Sequence, residues 1–183
     1  LVPEEYGGLG LDLLFAAAIS QSIGEAVAPL PYCGSYVMAP IAIQIGASKS
    51  QKENIFNEMS SGNTKFGIAF SEYFGSRDSS SIHFSNEKIN GKTIFAIDCD
   101  YATDILISDA SGKIGIVSIE DKNIEIVDLI TVDKTRTYKE IKFSNANVEI
   151  LANTKKNTDA IEKALDAGRI ITAADTLGAS QAM

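Results

Sequence analysis

The residues best equipped for chemistry lie between Phe66 and Asp78. A small apolar run, Gly67 to Phe70, leads into Ser71-Glu72 and then into Gly75-Ser76-Arg77-Asp78, a turn rich in backbone N–H and hydroxyl donors. Such a turn can hold an oxygen-rich ligand, because glycine admits close approach and successive N–H groups form an anion-binding nest. The same residues also make an ordinary exit loop from a helical segment, and this stretch alone favours the exit loop.

Other chemistries have little to work with. The chain of 183 residues holds one histidine and two cysteines. His83 sits in a β-type run and reads as a surface strand residue. Cys33 and Cys99 are far apart, with neither metal-ligand nor CxxC spacing, and with a single histidine in the chain a zinc site or a Ser-His-Asp triad has almost nothing to work with. Gly8-Leu9-Gly10 lacks the third glycine and the preceding strand of a dinucleotide fingerprint. Glu4 and Glu5 read as a solvated acidic turn, and Lys155-Lys156 as a solvated helix entrance. A net charge of -8 argues against a general nucleic-acid binder. No run of roughly 20 apolar residues and no signal sequence is present, which gives a cytoplasmic or organelle-matrix expectation. The start at Leu1 and the end at Met183 inside an apolar periodic segment give the expectation of a fragment.

The elements that must position the 66–78 stretch change character across it. Before it, apolar residues recur at helical spacing. Asp12 is a good N-cap for a helix to about Ala28, closed by Pro29 and Pro31. Ser35 is expected to cap a second helix through Gly46, with Pro40 near its first turn. A third is expected to start at the capping box Ser50-Gln51-Lys52-Glu53 and to reach Gly62. After the stretch, short β-branched runs alternate with polar turns: 80–84, 92–97, 104–108, 114–119, 124–127, 136–143 and 148–151. Asn90-Gly91 and Ala110 to Lys113 read as hairpin turns. From about Thr158 a last helix begins, whose small residues let another helix approach. Arg169 lies within its apolar segment as a buried ion-pair anchor or, functionally, as an orienter of the site; the structural role is favoured. The fold expected is α+β multidomain: a partial helical domain over 1–64, an antiparallel β-barrel or sandwich over 65–153, and the first helix of a further helical domain over 154–183.

Three motifs carry a family resemblance in register. They are Val2-Pro3-Glu4-Glu5-Tyr6-Gly7-Gly8-Leu9-Gly10, then Phe70-Ser71-Glu72 with Gly75-Ser76, then Gly168-Arg169-Ile170 with Leu177-Gly178. In order and spacing the chain resembles the acyl-CoA dehydrogenase family along nearly its whole length. The resemblance implies FAD as cofactor and an acyl-CoA substrate, with α-proton abstraction by a Glu and hydride transfer to flavin N5. By position it implies flavin contacts at Ile68, Ala69, Phe70 and Ser71 and at Ala96, Ile97 and Asp98, with Ser76 near the CoA moiety. No catalytic residue is assigned, because the family's usual Glu would fall past Met183. An electron-transferring flavoprotein as partner and a dimer or tetramer are implied likewise.

The sequence departs from the family pattern in two places. In the loop, Tyr73, Phe74 and Arg77 replace the usual proline and glycine pattern. The second flavin-contacting stretch, commonly beginning with Trp, falls near Ala96-Ile97-Asp98 in a chain without tryptophan. Two readings fit: a divergent subgroup, of the kind acting on dicarboxylyl or sterol side-chain thioesters, or the non-catalytic subunit of a heteromeric dehydrogenase. A cofactor-free interaction module and an oxidase-like or hydroxylase-like flavoprotein are the alternatives from other classes.

Overall fold

The computed structural model describes residues 1–74 and 82–183. Asp12 accepts from Phe15 N at 3.0 Å and starts helix α1, Leu13–Glu25, as its side chain predicts. The second helical stretch begins earlier than expected and in a wider form. Cys33–Met38 is π-helical and runs straight into α2, Ala39–Gly46. Pro40 gives the physical reason, since its ring would strike the Tyr36 carbonyl in an unbroken α-helix; the Ala39 N–H instead reaches back to Gly34 O. Ser35 does not cap this stretch. Its Oγ accepts from Phe66 N at 3.1 Å and ties the π-helical turn to the first strand. Helix α3, Lys49–Ser60, is capped by Ser48 with Gln51, two residues before the expected Ser50.

Among the described residues eight strands form a single sheet: β1 Phe66–Ala69, β2 His83–Ser85, β3 Lys88–Ile97, β4 Asp104–Ser108, β5 Ile114–Ser118, β6 Ile124–Asp128, β7 Tyr138–Asn147 and β8 Glu149–Ile150. Their order is β6-β7-β3-β1-β4-β5-β8, with β2 on β3. The expected antiparallel barrel or sandwich is realised as an open sheet of mixed direction. β1 pairs parallel with β4, Phe66 opposite Asp104, and antiparallel with β3, Ile68 opposite Ile97. A chain entering the sheet from a helical segment drops into its middle, so one parallel pair results.

Strands β1 and β4 have no solvent face. Along β4, Leu106 joins the core shared with the helices, while Ile105 and Ile107 join a second core on the opposite side. That is why this strand reads as an unbroken apolar run rather than an alternation. Asn90-Gly91 is not a hairpin turn. The reversal falls at Asn86 and Glu87, both at positive φ, and Asn90-Gly91 sits at an irregularity inside β3, with Gly91 at φ 118. The β4–β5 turn lies where expected, with Gly112 at φ 83.

Helix α4, Asn157–Ala182, crosses back over α1 and α2. Its small residues do what the sequence predicts. A Cβ at Gly178 would lie 1.8 Å from Gln21 O, and one at Gly24 would lie 1.9 Å from Asp175 O, so the two helices meet backbone to backbone. Ser20 Oγ donates to Ile171 O at 2.9 Å across the same seam.

Candidate functional site

The expected flavin-contact residues fall on two neighbouring strands and come together in space. Ile68 of β1 lies directly opposite Ile97 of β3. Their side chains, however, face different ways. Ile68 and Phe70 are buried in the helical core, and Ala69 and Ala96 in the core on the other side of the sheet. Ser71, just past β1, donates to Ile94 O at 2.7 Å and lies 2.9 Å from Thr93 Oγ1. With its proton on a carbonyl, this hydroxyl presents acceptor capacity and no free donor. Ser76, expected near CoA, lies outside the described residues.

Asp98 is the residue whose role is least legible from sequence. It stands at φ 58 just past β3 and turns its carboxylate into the protein, where Oδ2 accepts from Gly34 N at 2.6 Å. It thereby closes the N-terminal end of the π-helical turn. Burial raises its pKa, opposed by the Gly34 and Ser35 N–H groups and by Arg136. A Cβ on Gly34 would come within 2.9 Å of this carboxylate and 3.1 Å of Ile68, so glycine is what lets helix, strand and carboxylate meet.

Of the expected contacts, Ile97 opens onto the widest space. It forms the floor of a broad-mouthed hollow of about 650 Å³, walled by Cys33 and Met38 on one side and by Leu165, Arg169, Thr172 and Thr176 of α4 on the other. Cys33, Ile97 and Thr172 also line an adjoining cleft of about 280 Å³ that runs toward Arg136 and Tyr138. Past Arg136 a third cavity of about 120 Å³ lies between α1 and α4, bounded by Tyr32, Ile171 and Asp175.

Charged groups frame the inner end. Arg136 Nη2 donates to Asp175 Oδ2 at 2.8 Å and bridges the β6–β7 loop to α4. Burial works against the guanidinium, but Asp175 outweighs it and the Arg136 pKa is held above its ordinary value. Beside it, Lys139 pairs with both Asp100 and Asp128, and Thr137 Oγ1 donates to Asp100. Lys139 and Thr137 pull the Asp100 carboxyl down. Burial pushes the Cys33 thiol up to about 11 and the Cys99 thiol up to about 12, so neither is a nucleophile at neutral pH.

Arg169 departs from the buried anchor expected for it. It pairs with Asp166 at 2.5 Å, one turn before it, and both side chains are exposed at the mouth of the large hollow. Arg136, Asp175 and Cys33 were not picked from sequence. An acid amid Ala173, Ala174 and Leu177 was the available signal for Asp175. Phe95 escaped too; an aromatic beside Ala96 was its signal. It stands exposed at φ 58 on a bulge of β3 and meets Tyr138 edge-on, with ring centroids 6.4 Å apart. Among the described residues no cluster of metal ligands occurs, and no helix is long and apolar enough to cross a membrane.

Comparison with known proteins relates this arrangement to a known fold. Residues 1–63 match the family model described as acyl-CoA dehydrogenase, N-terminal domain. The fold extends the match over the sheet and α4, with a TM-score of 0.80 to a crystal structure of acyl-CoA dehydrogenase from Geobacillus kaustophilus. The chain is acyl-CoA dehydrogenase-like. That structure is 18% identical, with 100% of this chain and 55% of that one covered. The glutaryl-coenzyme A dehydrogenase glutaryl-CoA complex is 19% identical at a TM-score of 0.78, covering 99% and 52%. A probable acyl-CoA dehydrogenase, YngJ of Bacillus subtilis (strain 168), is 25% identical over 98% of this chain and 53% of its own length. The chain thus spans about half the length of the relatives it matches.

Whether an acyl-CoA dehydrogenase-like chain with these residues suits a flavin is a question of the cavity. Gly168 of α4 is part of its wall, and a Cβ there would reach Met38 Sδ at 2.9 Å, so the wall is as thin as the backbone allows. A wide apolar hollow with a thin wall, a strand-end backbone at Ile97 and hydroxyls at its rim fits a flat ring.

Proposed function

We propose that this chain provides the flavin-facing and substrate-facing walls of an FAD-dependent acyl-CoA dehydrogenase, which removes the α proton and the β hydrogen of an acyl-CoA thioester. The single observation that carries this is the hollow at Ile97, where the end of β3 meets Cys33, Met38 and Thr172 in an acyl-CoA dehydrogenase-like fold. FAD, when bound, supplies the hydride acceptor. The residues that would hold it are Ile97 through its backbone, Ser71 as an acceptor, and the buried run Ile68 to Phe70 as the support beneath. Ser76 belongs to the same expectation on the CoA side. The chain's own work is positional: apolar walls exclude water, and strand-end backbone groups orient the reacting carbons. The proton-abstracting carboxylate is not assigned to any residue of this chain.

By the same reading the reduced protein hands electrons to an electron-transferring flavoprotein, and the working state is a homo- or hetero-oligomer.

A second reading is favoured by one observation. Asp98 stands in a stretch implied to contact the flavin, and its carboxylate is engaged with Gly34 instead. A non-catalytic subunit that keeps the fold without the cofactor matches that loss.

The experiment is an anaerobic visible spectrum of the complete natural protein, purified without added flavin and titrated with acyl-CoA thioesters. A yellow protein that bleaches with a thioester meets the first reading. A colourless protein that takes up no FAD sinks it and leaves the subunit role. Rapid recolouring in air after bleaching would point instead to an oxidase.

A further inference from the structure

The three cavities adjoin one another and share walls. Cys33, Ile97 and Thr172 line both the wide hollow and the middle cleft, and Leu30, Cys33, Thr135 and Arg136 line both the middle cleft and the inner cavity. From the wide hollow inward this line of cavities begins apolar and ends on a half-buried ion pair. We propose that this end is a specificity station, and that the acyl group received here carries a neutral oxygen acceptor, a hydroxyl or carbonyl, near its far end. The proposal rests on the reading that a thioester enters over Ile97.

Three observations carry it. Arg136 offers five N–H donors, and among the described residues its hydrogen-bond partner is Asp175, through Nη2 at 2.8 Å. Donors remain for a ligand in the two cavities Arg136 lines. A methyl-ended chain laid against this pair would strip water from it and return nothing, which is the costly way to bury charge. The charges around the inner end already carry an excess of acids: Arg136, Lys134 and Lys139 stand against Asp98, Asp100, Asp128 and Asp175. A carboxylate tail would add an unmatched negative charge between Asp98 and Asp175. A neutral oxygen accepts from the guanidinium without adding to that excess. The hydroxyls of Tyr32 and Ser20 do not compete for it, since they donate to Ala16 O and Ile171 O.

The test is calorimetric binding to the complete natural protein of three thioester series, matched in chain length and ending in methyl, hydroxyl or carboxylate. The hydroxyl-ended series is expected to bind about tenfold tighter than the methyl-ended one at its best length, the worth of one charge-assisted hydrogen bond. In the double variant Arg136→Met with Asp175→Leu that margin is expected to vanish. Equal binding of all three, or tighter binding of the methyl- or carboxylate-ended series by the unmodified protein, overturns the station. The comparison within the unmodified protein stands even if the variant fails to fold. Binding of none of the three overturns the thioester reading itself, and with it this inference. Binding without tail preference overturns the inference alone.

Discussion

The two faces of α4 are built on opposite plans. Toward α1 the helices touch backbone to backbone through Gly24 and Gly178, leaving no room for a methyl group. Toward Ile97 the same helix stands off, and a wide hollow lies between the two. Asp175 belongs to both faces, since its carbonyl oxygen packs on Gly24 and its carboxylate holds Arg136. One rigid contact therefore fixes the distance at which the open one is held, and a wall can be thin and empty on one side because it is locked on the other.

That contrast can be broken at either face. The largest effect is expected from Gly178→Ala, whose methyl would meet Gln21 O at 1.8 Å and force the helices apart. A loss of about 3 kcal/mol in urea unfolding is expected, and an unchanged midpoint would mean the seam is slack.

Asp98→Ala comes next. It leaves the buried Gly34 N–H without its acceptor, for a loss of about 2 kcal/mol. Its pH behaviour sharpens the point. Burial raises the folded pKa of Asp98 above 3.8, so the folded state binds that proton more tightly than the unfolded one. The stabilisation this gives is full below 3.8 and is lost as pH rises through the folded value. Unfolding curves of the natural protein minus those of Asp98→Asn are expected to slope downward across that window. A flat difference would place the carboxylate in water.

On the open face, Asp175→Asn removes the charge facing Arg136 but leaves the carbonyl in the seam. A loss of about 1 kcal/mol is expected, well short of the glycine substitution. Equal losses would erase the distinction between the faces. The smallest effect belongs to Arg169→Gln, whose exposed pair with Asp166 is worth within about 0.5 kcal/mol. Thioester affinity, measured on the same variant, is expected to fall because Arg169 stands at the mouth of the wide hollow.

What the sequence discloses follows the range of the interaction. Asp12 as a cap, the β4–β5 turn and the small residues of α4 are local signals, and each is realised. Asn90-Gly91 misleads because the same pair serves a bulge as well as a turn, and only the pairing of β2 with β3 tells which. The parallel contact of β1 with β4 joins segments almost forty residues apart, beyond any periodicity. The candidate site divides in the same way. The stretches around Ile68 and Ile97 are recognisable from motif order, whereas the partners Asp98–Gly34 and Arg136–Asp175 meet across 64 and 39 residues. Nothing in either partner's neighbours announces the other.

The bulge at Phe95 has an optical consequence. The chain contains no tryptophan, so its ultraviolet emission comes from tyrosine alone. Phe95→Trp would set a sole indole edge-on to Tyr138, at the rim of the middle cleft. Its fluorescence would be quenched by energy transfer when a yellow chromophore occupies the neighbouring hollow, and restored when that chromophore is bleached.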